Sequence, residues 1–376
     1  MVRSTHGAAN VTQAHYPDLR STVYRGWAPP EALEGLPGLY HSCLAVPEYF
    51  TCRAPGEPYD VCVLEEPEAI ICYRVRGMTA HVLNRVFDIE PEAATRACRS
   101  LFRAHQAVLR VRVEVKFRPD ELRLPHRVTL QGEDYVVSLP DAPSDYDASL
   151  GKTTRAHLRQ YRNGLRRHFS EIRFEDLVGA DVGRDVVDLI VRWNVERMRQ
   201  KGDVSTFERH PEEVTQLTAQ VAGSGEAKLL RLDGQPVAGT LSQRVGHDVW
   251  IRACAFDPAF ARFHVGMLTL HETIRSYAGS AHKAHLMWGS PTHKLRLGAV
   301  RVPSWELSIY RSATARAFAL LEASRLKLKQ LWHCRRLASA RWHIANACRD
   351  PRACWSKLLA RSDQTRTPDE TEVGRA

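Results

Sequence analysis

The stretch from Arg252 to Gly298 reads RACAFDPAFARFHVGMLTLHETIRSYAGSAHKAHLMWGSPTHKLRLG, and it decides the expected fold. Its pattern predicts a strand, a loop, a helix, a second strand and a final Gly-Ser-Pro-Thr-His-Lys turn. The loop and the first helical turn carry Arg262, His264 and Gly266. Free backbone N–H groups and the positive end of the helix dipole converge at such a point. The stretch therefore predicts a binding site for an anionic group the size of a pyrophosphate.

The segments around this stretch indicate an internal repeat of three strands, a helix and two further strands. Short turns join the strands of each three-strand meander, and Phe87-Asp88 ends the first meander as Phe256-Asp257 ends the second. The predicted elements of the first copy are Val61–Glu65, Ala69–Arg76, His81–Ile89, the helix Pro91–Val108, Val111–Phe117, Arg127–Gln131 and Tyr135–Leu139. Those of the second copy are Lys228–Leu232, Pro236–Val245, Val249–Phe256, the helix Val265–Tyr277, Ala284–Trp288 and Trp305–Tyr310.

The two copies differ at the place where an anion would bind. After Asp88 the first copy continues Ile-Glu-Pro-Glu-Ala-Ala, with two carboxylates and no glycine. Carboxylates repel a pyrophosphate, and a residue larger than glycine hinders close approach of the backbone. Only the second copy is therefore expected to hold a pyrophosphate-containing ligand.

An arginine-rich helix is predicted between the copies, in the segment SLGKTTRAHLRQYRNGLRRHFSEIRFEDL. Its buried face would carry Leu158, Tyr161, Leu165 and Phe169, and beside it runs a stripe of Arg155, Arg159, Arg162 and Arg166. The stripe indicates either a surface that attracts a polyanionic or lipid-phosphate acceptor or an ordinary solvated face. A second helix, Val186–Gln200, follows and carries Trp193 and Arg197.

Together, the strand order, the phosphate loop and the arginine-rich helix resemble the GNAT acyltransferase superfamily, and within it the Fem-like and cellulose-biosynthesis (CelD-like) branch. The resemblance covers roughly residues 135–310. It implies an α/β fold of tandem GNAT-like lobes, with a mixed, mostly antiparallel sheet and flanking helices, plus a C-terminal basic helical extension. It also implies acetyl-CoA or another acyl-CoA as donor, and no metal. The acceptor would be an amine or hydroxyl of a small molecule, a saccharide or a cell-envelope precursor.

In this family the donor's pantetheine arm lies between two strands that splay apart, here Val249–Phe256 and Ala284–Trp288. The family's phosphate motif has Arg or Gln, two residues, a glycine, one residue and then glycine or alanine. In this sequence the glycine is displaced by one position after Arg262. The cofactor-binding residues implied by the resemblance are Phe256, Asp257, Arg262, His264, Val265, Gly266, Met267 and Gly289. Asp257 precedes a proline and is also typical of a turn start, while His264 could instead cap the helix.

A second motif follows the predicted strand Ala284–Trp288. Fem-like and CelD-like sequences carry a glycine, a short gap, Tyr-Lys and another glycine; Gly289, Lys294 and Gly298 match this pattern, with His293 in place of the tyrosine. These are the predicted catalytic residues: Lys294 would contact donor phosphates or stabilise charge on the acceptor, and His293 would move a proton. The alternative is that Lys294 closes a helix end and His293 is a solvated loop residue. His271 and Glu272 are weaker candidates for a general base.

The net charge of +10 over 376 residues has a local origin. Residues 311–361 contain twelve Lys or Arg against Glu322 and Asp350, so this segment alone supplies the excess. Its leucines and tryptophans among arginines predict helices that either pack on the second lobe or lie on an anionic membrane. Nucleic acid would use the same charges and is the least expected partner.

The remaining composition indicates a globular protein without secretion signals. No signal peptide and no apolar stretch of membrane-spanning length is recognisable, which predicts a cytoplasmic location with peripheral contact to the inner face of the membrane as an option. The nine cysteines are scattered without zinc-site spacing and are expected to be reduced.

These observations divide the chain into a flexible arm (1–25), a degenerate first lobe (26–145), a catalytic second lobe (146–310), a basic helical extension (311–361) and a disordered tail (362–376). The expected function is acyl-CoA-dependent transfer of an acyl group, chiefly acetyl, to an amine or hydroxyl. Two alternatives remain. One is a Fem-like aminoacyl-tRNA-dependent transferase, for which the expected long helical insertion is missing. The other is a non-catalytic membrane or nucleic-acid adaptor on a decayed acyltransferase fold.

Overall fold

The computed structural model describes residues 12–53, 56–66, 68–117, 121–289 and 291–321. The predicted tail, most of the basic extension and the first eleven residues lie outside these ranges. Residues up to Ala313 belong to one compact unit, and Thr314–Ala376 form the second unit, of which the described part is helical.

Strands and helices alternate along the first unit in two similar series. The strands are β1 (Thr12–Tyr16), β2 (Ser21–Arg25), β3 (Asp60–Glu65), β4 (Glu68–Arg76), β5 (Thr79–Val82), β6 (Arg110–Val115), β7 (His126–Ser138), β8 (Ile172–Val178), β9 (Gly225–Leu232), β10 (Gln235–Val245), β11 (Asp248–Phe256), β12 (Lys283–His285) and β13 (Val300–Tyr310). The helices are α1 (Pro30–Tyr40), α2 (Pro47–Arg53), α3 (Pro91–Ala104), α4 (Pro143–Ser149), α5 (Lys152–His168), α6 (Arg184–Gln200), α7 (Thr206–Arg209), α8 (Pro211–Ser224), α9 (Val265–Ser276) and α10 (Pro291–Arg296).

The described strands form one sheet in the order β1-β2-β3-β4-β5-β6-β13-β7-β12-β11-β10-β9-β8. The two halves of the sheet have the same pairing pattern. In the first half, β2 to β5 are antiparallel and β5 pairs in parallel with β6. In the second half, β8 to β11 are antiparallel and β11 pairs in parallel with β12. The helices α3 and α9 make the two equivalent crossovers. The predicted tandem α/β architecture is confirmed.

The two lobes exchange their last strands at the centre of the sheet. β7 follows the first copy in sequence but pairs with β12 of the second, and β13 follows the second copy but pairs with β6 of the first. β7 and β13 also pair with each other along ten residue pairs, from Val300–Val136 to Ile309–His126. The exchange joins the two halves of the sheet through continuous backbone hydrogen bonding.

In the part of the chain that the structure describes, three hydrophobic cores hold the helices on the sheet. In the first lobe, α1, α2 and α3 bury a set that includes Leu36, Phe50 and Leu101. In the second lobe the adjacent residues Leu229 and Leu230 enter different cores, because successive side chains of a strand point to opposite faces. Leu230 packs with α5 and α9, whereas Leu229 packs with α6 and α8. Helices α6 and α9 therefore lie on opposite faces of the same sheet.

The structure corrects three predicted elements. Residues 12–25, expected to be part of a flexible arm, form the antiparallel pair β1–β2 at the edge of the sheet, where Val23 is fully buried. The predicted strand His81–Ile89 ends at Val82, because the Asn84 side chain binds the backbone of Cys72 and Ile70 in place of a strand.

The predicted strands Arg127–Gln131 and Tyr135–Leu139 are one strand, β7, continuous through Gly132. No helix in the described residues combines the length and apolar character needed to cross a bilayer.

Candidate active site

A gap opens in the sheet of the second lobe between β11 and β12. The two strands pair only from Asp248–Lys283 to Trp250–His285, whereas β10 accompanies β11 as far as Phe256. The register between β10 and β11 shifts at Leu241 and Ser242, so Arg252 is an extra, bulged residue. A bulge bends its strand and strengthens the local twist, and this one lies two residues beyond the last pair with β12. The edge of β11 from Ile251 to Phe256 consequently has no strand partner among the described residues.

The equivalent gap in the first lobe is closed. β5 pairs with β6 over Thr79–His81, and the chain returns to β6 through a bridge between Phe87 and Val115. The Lys116 amide also donates to the Phe87 carbonyl at 3.3 Å. Next to the start of α3 lies a cavity of about 350 Å³, whose lining includes the carboxylates Glu68, Asp88 and Glu90. This lobe therefore offers neither an open strand edge nor an environment for a phosphate.

The loop after β11 directs the start of α9 toward the gap. Asp257 accepts a hydrogen bond from the Ala259 amide at 2.9 Å and caps the 3₁₀ turn Pro258–Phe263, which matches its alternative reading as a turn residue. His264 has left-handed backbone angles, and its carbonyl accepts from the amides of Met267 and Leu268. In the part of the chain that the structure describes, the amides of Val265 and Gly266 have no acceptor. Two free N–H groups at a helix start suit an anionic oxygen.

Gly266 is required by packing between α9 and β11. A Cβ atom at this position would lie 2.5 Å from Cδ1 of the Phe256 ring. Gly266 is buried and Phe256 is half-buried. The glycine brings the helix start and its free amides close to the end of β11, so the displaced motif still produces close approach.

The other predicted cofactor-binding residues surround this helix start. Arg262 is exposed, with its guanidinium carbon 4.6 Å from the Phe263 ring centroid. The exposed His264 ring stacks on Tyr161 of α5 with a centroid distance of 4.0 Å. Val265 is fully buried and contributes its backbone, whereas Met267 is half-buried against the same core.

Lys294 holds the loop that follows β12. It lies on α10, is only 6% exposed, and its Nζ donates to the carbonyls of Met287 at 2.8 Å and Trp288 at 2.7 Å. Met287 has a φ of +58°, which an L-residue adopts at a cost. Gly289 follows at +118°, a value open chiefly to glycine. Burial lowers the pKa of Lys294 to about 8.

His293 lies beside Lys294 on α10 and is half-buried, so it is neither a loop residue nor fully solvated. Burial, followed by the positive charges of Lys294, Arg197 and Lys201, lowers the pKa of His293 to about 4. The imidazole is consequently neutral at pH 7 and has a free lone pair for a proton. Its basicity in the unliganded protein is low.

Sequence reasoning missed a buried ionic cluster at the closed end of the gap. His285 hydrogen-bonds Asp134 at 2.6 Å and Asp248 at 3.2 Å, and its ring stacks on Trp250 at 3.9 Å. Burial raises the pKa of Asp134, but the hydrogen bond and charge of His285 outweigh it, so the net shift is downward. Three ionisable residues on three different strands, with Asp134 more than a hundred positions before Asp248 and His285, give no local motif. The pairing of β12 with β7 on one side and with β11 on the other brings them together.

The arginine stripe of α5 divides into a paired and a solvated part. Arg162 donates to Glu272 at 3.0 Å and approaches His271 at 3.3 Å, while Arg155, Arg159 and Arg166 are exposed. His271 is buried and also bonded to Asp147 of α4, so this cluster ties three helices together. Glu272 and His271, weaker candidates for a base, are engaged there on the α9 face.

The cysteines and the acidic residues provide no metal centre within the described ranges. Cys43, Cys62, Cys72, Cys98 and Cys254 are free thiols. Burial raises the pKa of Cys254, the one nearest the gap, to about 11, so it is protonated at neutral pH.

Comparison with known proteins agrees with this geometry. Residues 152–295 match the acetyltransferase (GNAT) domain family. FemX superposes with a TM-score of 0.57 at 9% identity, over 74% of this chain and 96% of that chain. A conserved protein of unknown function from Bacteroides thetaiotaomicron superposes with a TM-score of 0.51 at 13% identity, over 70% of this chain and 90% of that chain. No curated protein matches the sequence. Residues 152–295 are thus similar to the GNAT domain family, and the fold of the chain is similar to that of FemX.

Proposed function

We propose that this protein takes an acyl group, chiefly acetyl, from acyl-CoA and transfers it to an amine or hydroxyl of a small-molecule or saccharide acceptor. The observation that carries the proposal is the open edge of β11, which runs from the bulge at Arg252 to the free amides at the start of α9. The first lobe has the same elements but a closed gap and an acidic cavity. The donor is therefore assigned to the second lobe.

An acyl-CoA has the two features that this arrangement accommodates. Its pantetheine arm contains amide groups that can pair with a free strand edge, as an added strand would. Its pyrophosphate can accept hydrogen bonds from the amides of Val265 and Gly266, with Arg262 as the adjacent cation. The thioester would then lie in the gap near Arg252, between β11 and the loop that Lys294 holds.

In the proposed reaction, the acceptor nitrogen or oxygen attacks the thioester carbon, the carbon–sulfur bond breaks and CoA leaves as its thiolate. The acceptor loses one proton, which His293 accepts, and the thiolate takes up one proton on release. Lys294 acts on this step by fixing the carbonyls of Met287 and Trp288, which positions the backbone of the loop beside the reacting carbon.

The test is calorimetric binding of acetyl-CoA to the wild type and to Arg262→Glu. Reversing an exposed charge beside the pyrophosphate is expected to weaken acetyl-CoA binding about tenfold, without disturbing the fold. Arg127→Glu, an exposed arginine on β7, is the matched control and should bind as the wild type does. S-acetyl-pantetheine lacks the pyrophosphate, so Arg262→Glu and Arg127→Glu should bind it with the same affinity.

Absence of acetyl-CoA binding by the wild type would overturn the proposal. Binding of an aminoacyl-tRNA in its place would then favour the Fem-like aminoacyl transfer alternative. Failure with both donors would favour the non-catalytic adaptor.

A further inference from the structure

Arg197 presents an uncompensated guanidinium at the gap. It lies in the last turn of α6, with its guanidinium carbon 5.5 Å from the ring centroid of Phe256, the last residue of β11. Its Nε is buried and has no hydrogen-bond partner among the described residues. Two positions further on, Arg199 binds Glu208 at 2.6 Å. Arg197 is therefore held at the gap by an aromatic ring, and no described carboxylate neutralises it.

Within the described residues, the charged groups that shift the pKa of His293 are all cationic. Lys294 lies next to it on α10, Arg197 lies in the last turn of α6, and Lys201 follows the end of that helix; each of the three lowers the pKa of His293. No carboxylate in the described ranges acts on His293 in the opposite sense. The carboxylate of Asp134 raises the pKa of Lys294 and is not among the groups that shift the pKa of His293. An excess of positive charge around a half-buried imidazole in an open gap favours an anionic ligand.

This positive charge is separate from the site proposed for the donor phosphates. The free amides lie at the start of α9 and Arg262 in the 3₁₀ turn before it, whereas Arg197 lies in α6, on the other face of the sheet, and Lys201 directly follows α6. Arg197 also acts on Cys254, inside the gap, where it counters part of the effect of burial on that thiol's pKa. Its charge thus reaches the part of the gap where the acyl group would react.

We propose that Arg197, with Lys201, binds an anionic group of the acceptor substrate, a carboxylate or a phosphate, at the mouth of the gap beside His293. The inference rests on the proposed acyl transfer in this gap and specifies the acceptor class for it. A bound anion adds a negative charge next to the imidazole and raises the pKa of His293 toward neutrality. The acceptor would thereby turn a weak base into a competent one, and an uncharged analogue would leave it weak.

The experiment follows the His293 imidazole by NMR between pH 5 and 8, in the full-length protein saturated with acetyl-CoA, with assignment by His293→Gln. Without a probe the resonance should be nearly flat over this range, because the pKa is about 4. Inorganic phosphate, and in a separate arm acetate, should shift the midpoint upward by about one unit or more. The arm with the larger shift identifies the preferred anion as phosphate or carboxylate.

Arg197→Gln should abolish this response and weaken phosphate binding at least about tenfold, since a charged hydrogen-bond donor is lost. Arg197→Lys should retain part of the response. Arg192→Gln, an exposed arginine on the same helix, is the matched control and should respond as the wild type does. The affinity of Arg197→Gln for acetyl-CoA should stay within about twofold of the wild type, which also verifies its fold.

Three results would overturn the inference, and they are distinguishable. If neither anion moves the His293 midpoint in the wild type, the gap does not bind anions beside His293. If Arg197→Gln, with an intact circular dichroism spectrum, loses acetyl-CoA affinity tenfold, Arg197 belongs to the donor site, and the proposed acyl transfer stands. If the wild type binds phosphate but not acetyl-CoA, the proposed function fails, and the acceptor assignment fails with it.

Discussion

Lys294 is a lysine whose positive charge the folded protein disfavours. Burial lowers its pKa to about 8 from 10.5, so between these values the unfolded chain binds more protons than the native one. The free energy of unfolding of the wild type should therefore rise with pH over this window, relative to Lys294→Met. The relative gain should reach on the order of 3 kcal/mol by pH 10.5. Urea unfolding of both proteins at pH 7, 8, 9 and 10 measures it.

A difference between the two proteins that stays constant with pH would contradict this burial effect. At pH 7 the methionine variant loses the two bonds to the carbonyls of Met287 and Trp288 but also loses a disfavoured charge. The pH dependence, and not the value at one pH, is therefore the informative quantity.

Asp134 is a residue whose charged form the folded protein favours. It is 2% exposed and bonded to His285, and its lowered pKa means that its charged form stabilises the fold. Asp134→Ala should lower the free energy of unfolding by about 3 kcal/mol at pH 7, because it removes a buried charge and leaves the buried Nδ1 of His285 without its partner. Asp141→Ala, at an exposed position, should change it by less than about 0.5 kcal/mol.

The pH dependence of the Asp134 effect follows from the same shift. A carboxyl with a pKa below its unfolded value of 3.8 contributes stability above that pH and loses it as the pH falls through the native value. The difference between wild type and Asp134→Ala should shrink below pH 3.8, as measured by urea unfolding. A difference that grows on acidification would show that Asp134 is protonated in the native protein.

At the scale of elements, Gly266 fixes the contact between α9 and β11. Alanine normally stabilises a helix by about 1 kcal/mol relative to glycine, but here its Cβ would lie 2.5 Å from the Phe256 ring. Gly266→Ala should therefore lower the free energy of unfolding by about 2 kcal/mol, the cost of overpacking. Gly164→Ala on α5, where a Cβ meets nothing within 4 Å, should raise it by about 1 kcal/mol.

The double variant Gly266→Ala with Phe256→Leu separates this clash from other causes. The smaller side chain should relieve the overpacking, so the two changes should be less destabilising together than the sum of the single ones. If thermal or urea unfolding shows that the effects of the two changes on the free energy of unfolding simply add, the Phe256 ring is not the obstacle.

The sequence predicted those elements that carry a strong local pattern. The meander β9–β11, the start of α9 at Val265 and the helix α5 follow from hairpin turns and helical spacing, and all are present. The short strand β1 carries no such pattern. It forms because it pairs with β2 at the edge of the sheet. The end of β5 was missed for a similar reason, since the Asn84 side chain replaces strand hydrogen bonds there.

The candidate site was predictable only in part, because some of its residues are close together in sequence and others meet only in the folded chain. The predicted phosphate loop and the Gly289–Lys294 motif lie close together in sequence, and α9 and α10 place them beside the gap. Arg197 comes from a helix about a hundred positions away, and Asp134 from a strand of the other copy. Tertiary contact brings these groups to the gap, so a motif search cannot find them.

At the scale of the whole molecule, the exchange of β7 and β13 decides how the lobes unfold. Each lobe depends for its inner edge on a strand that follows the other copy in sequence. Neither lobe can lose its sheet without exposing the backbone of the other. We therefore expect one cooperative unfolding transition for residues 12–313, although the chain contains two copies of the fold.

Two thiols, one buried and one half-buried, report on the lobes separately. Cys98 packs in the core of the first lobe, and Cys254 is a thiol of the second. Thiol labelling across a urea series, read by mass spectrometry for each cysteine, should give one midpoint for both. Ser308→Pro, in the middle of β13 opposite Arg112 of β6 and Arg127 of β7, removes a ladder hydrogen bond at the exchange. It should lower both midpoints equally, because the exchanged strands couple the lobes. If Cys254 kept its wild-type midpoint while that of Cys98 fell, the lobes would be energetically independent, and the exchange would be only a matter of connectivity.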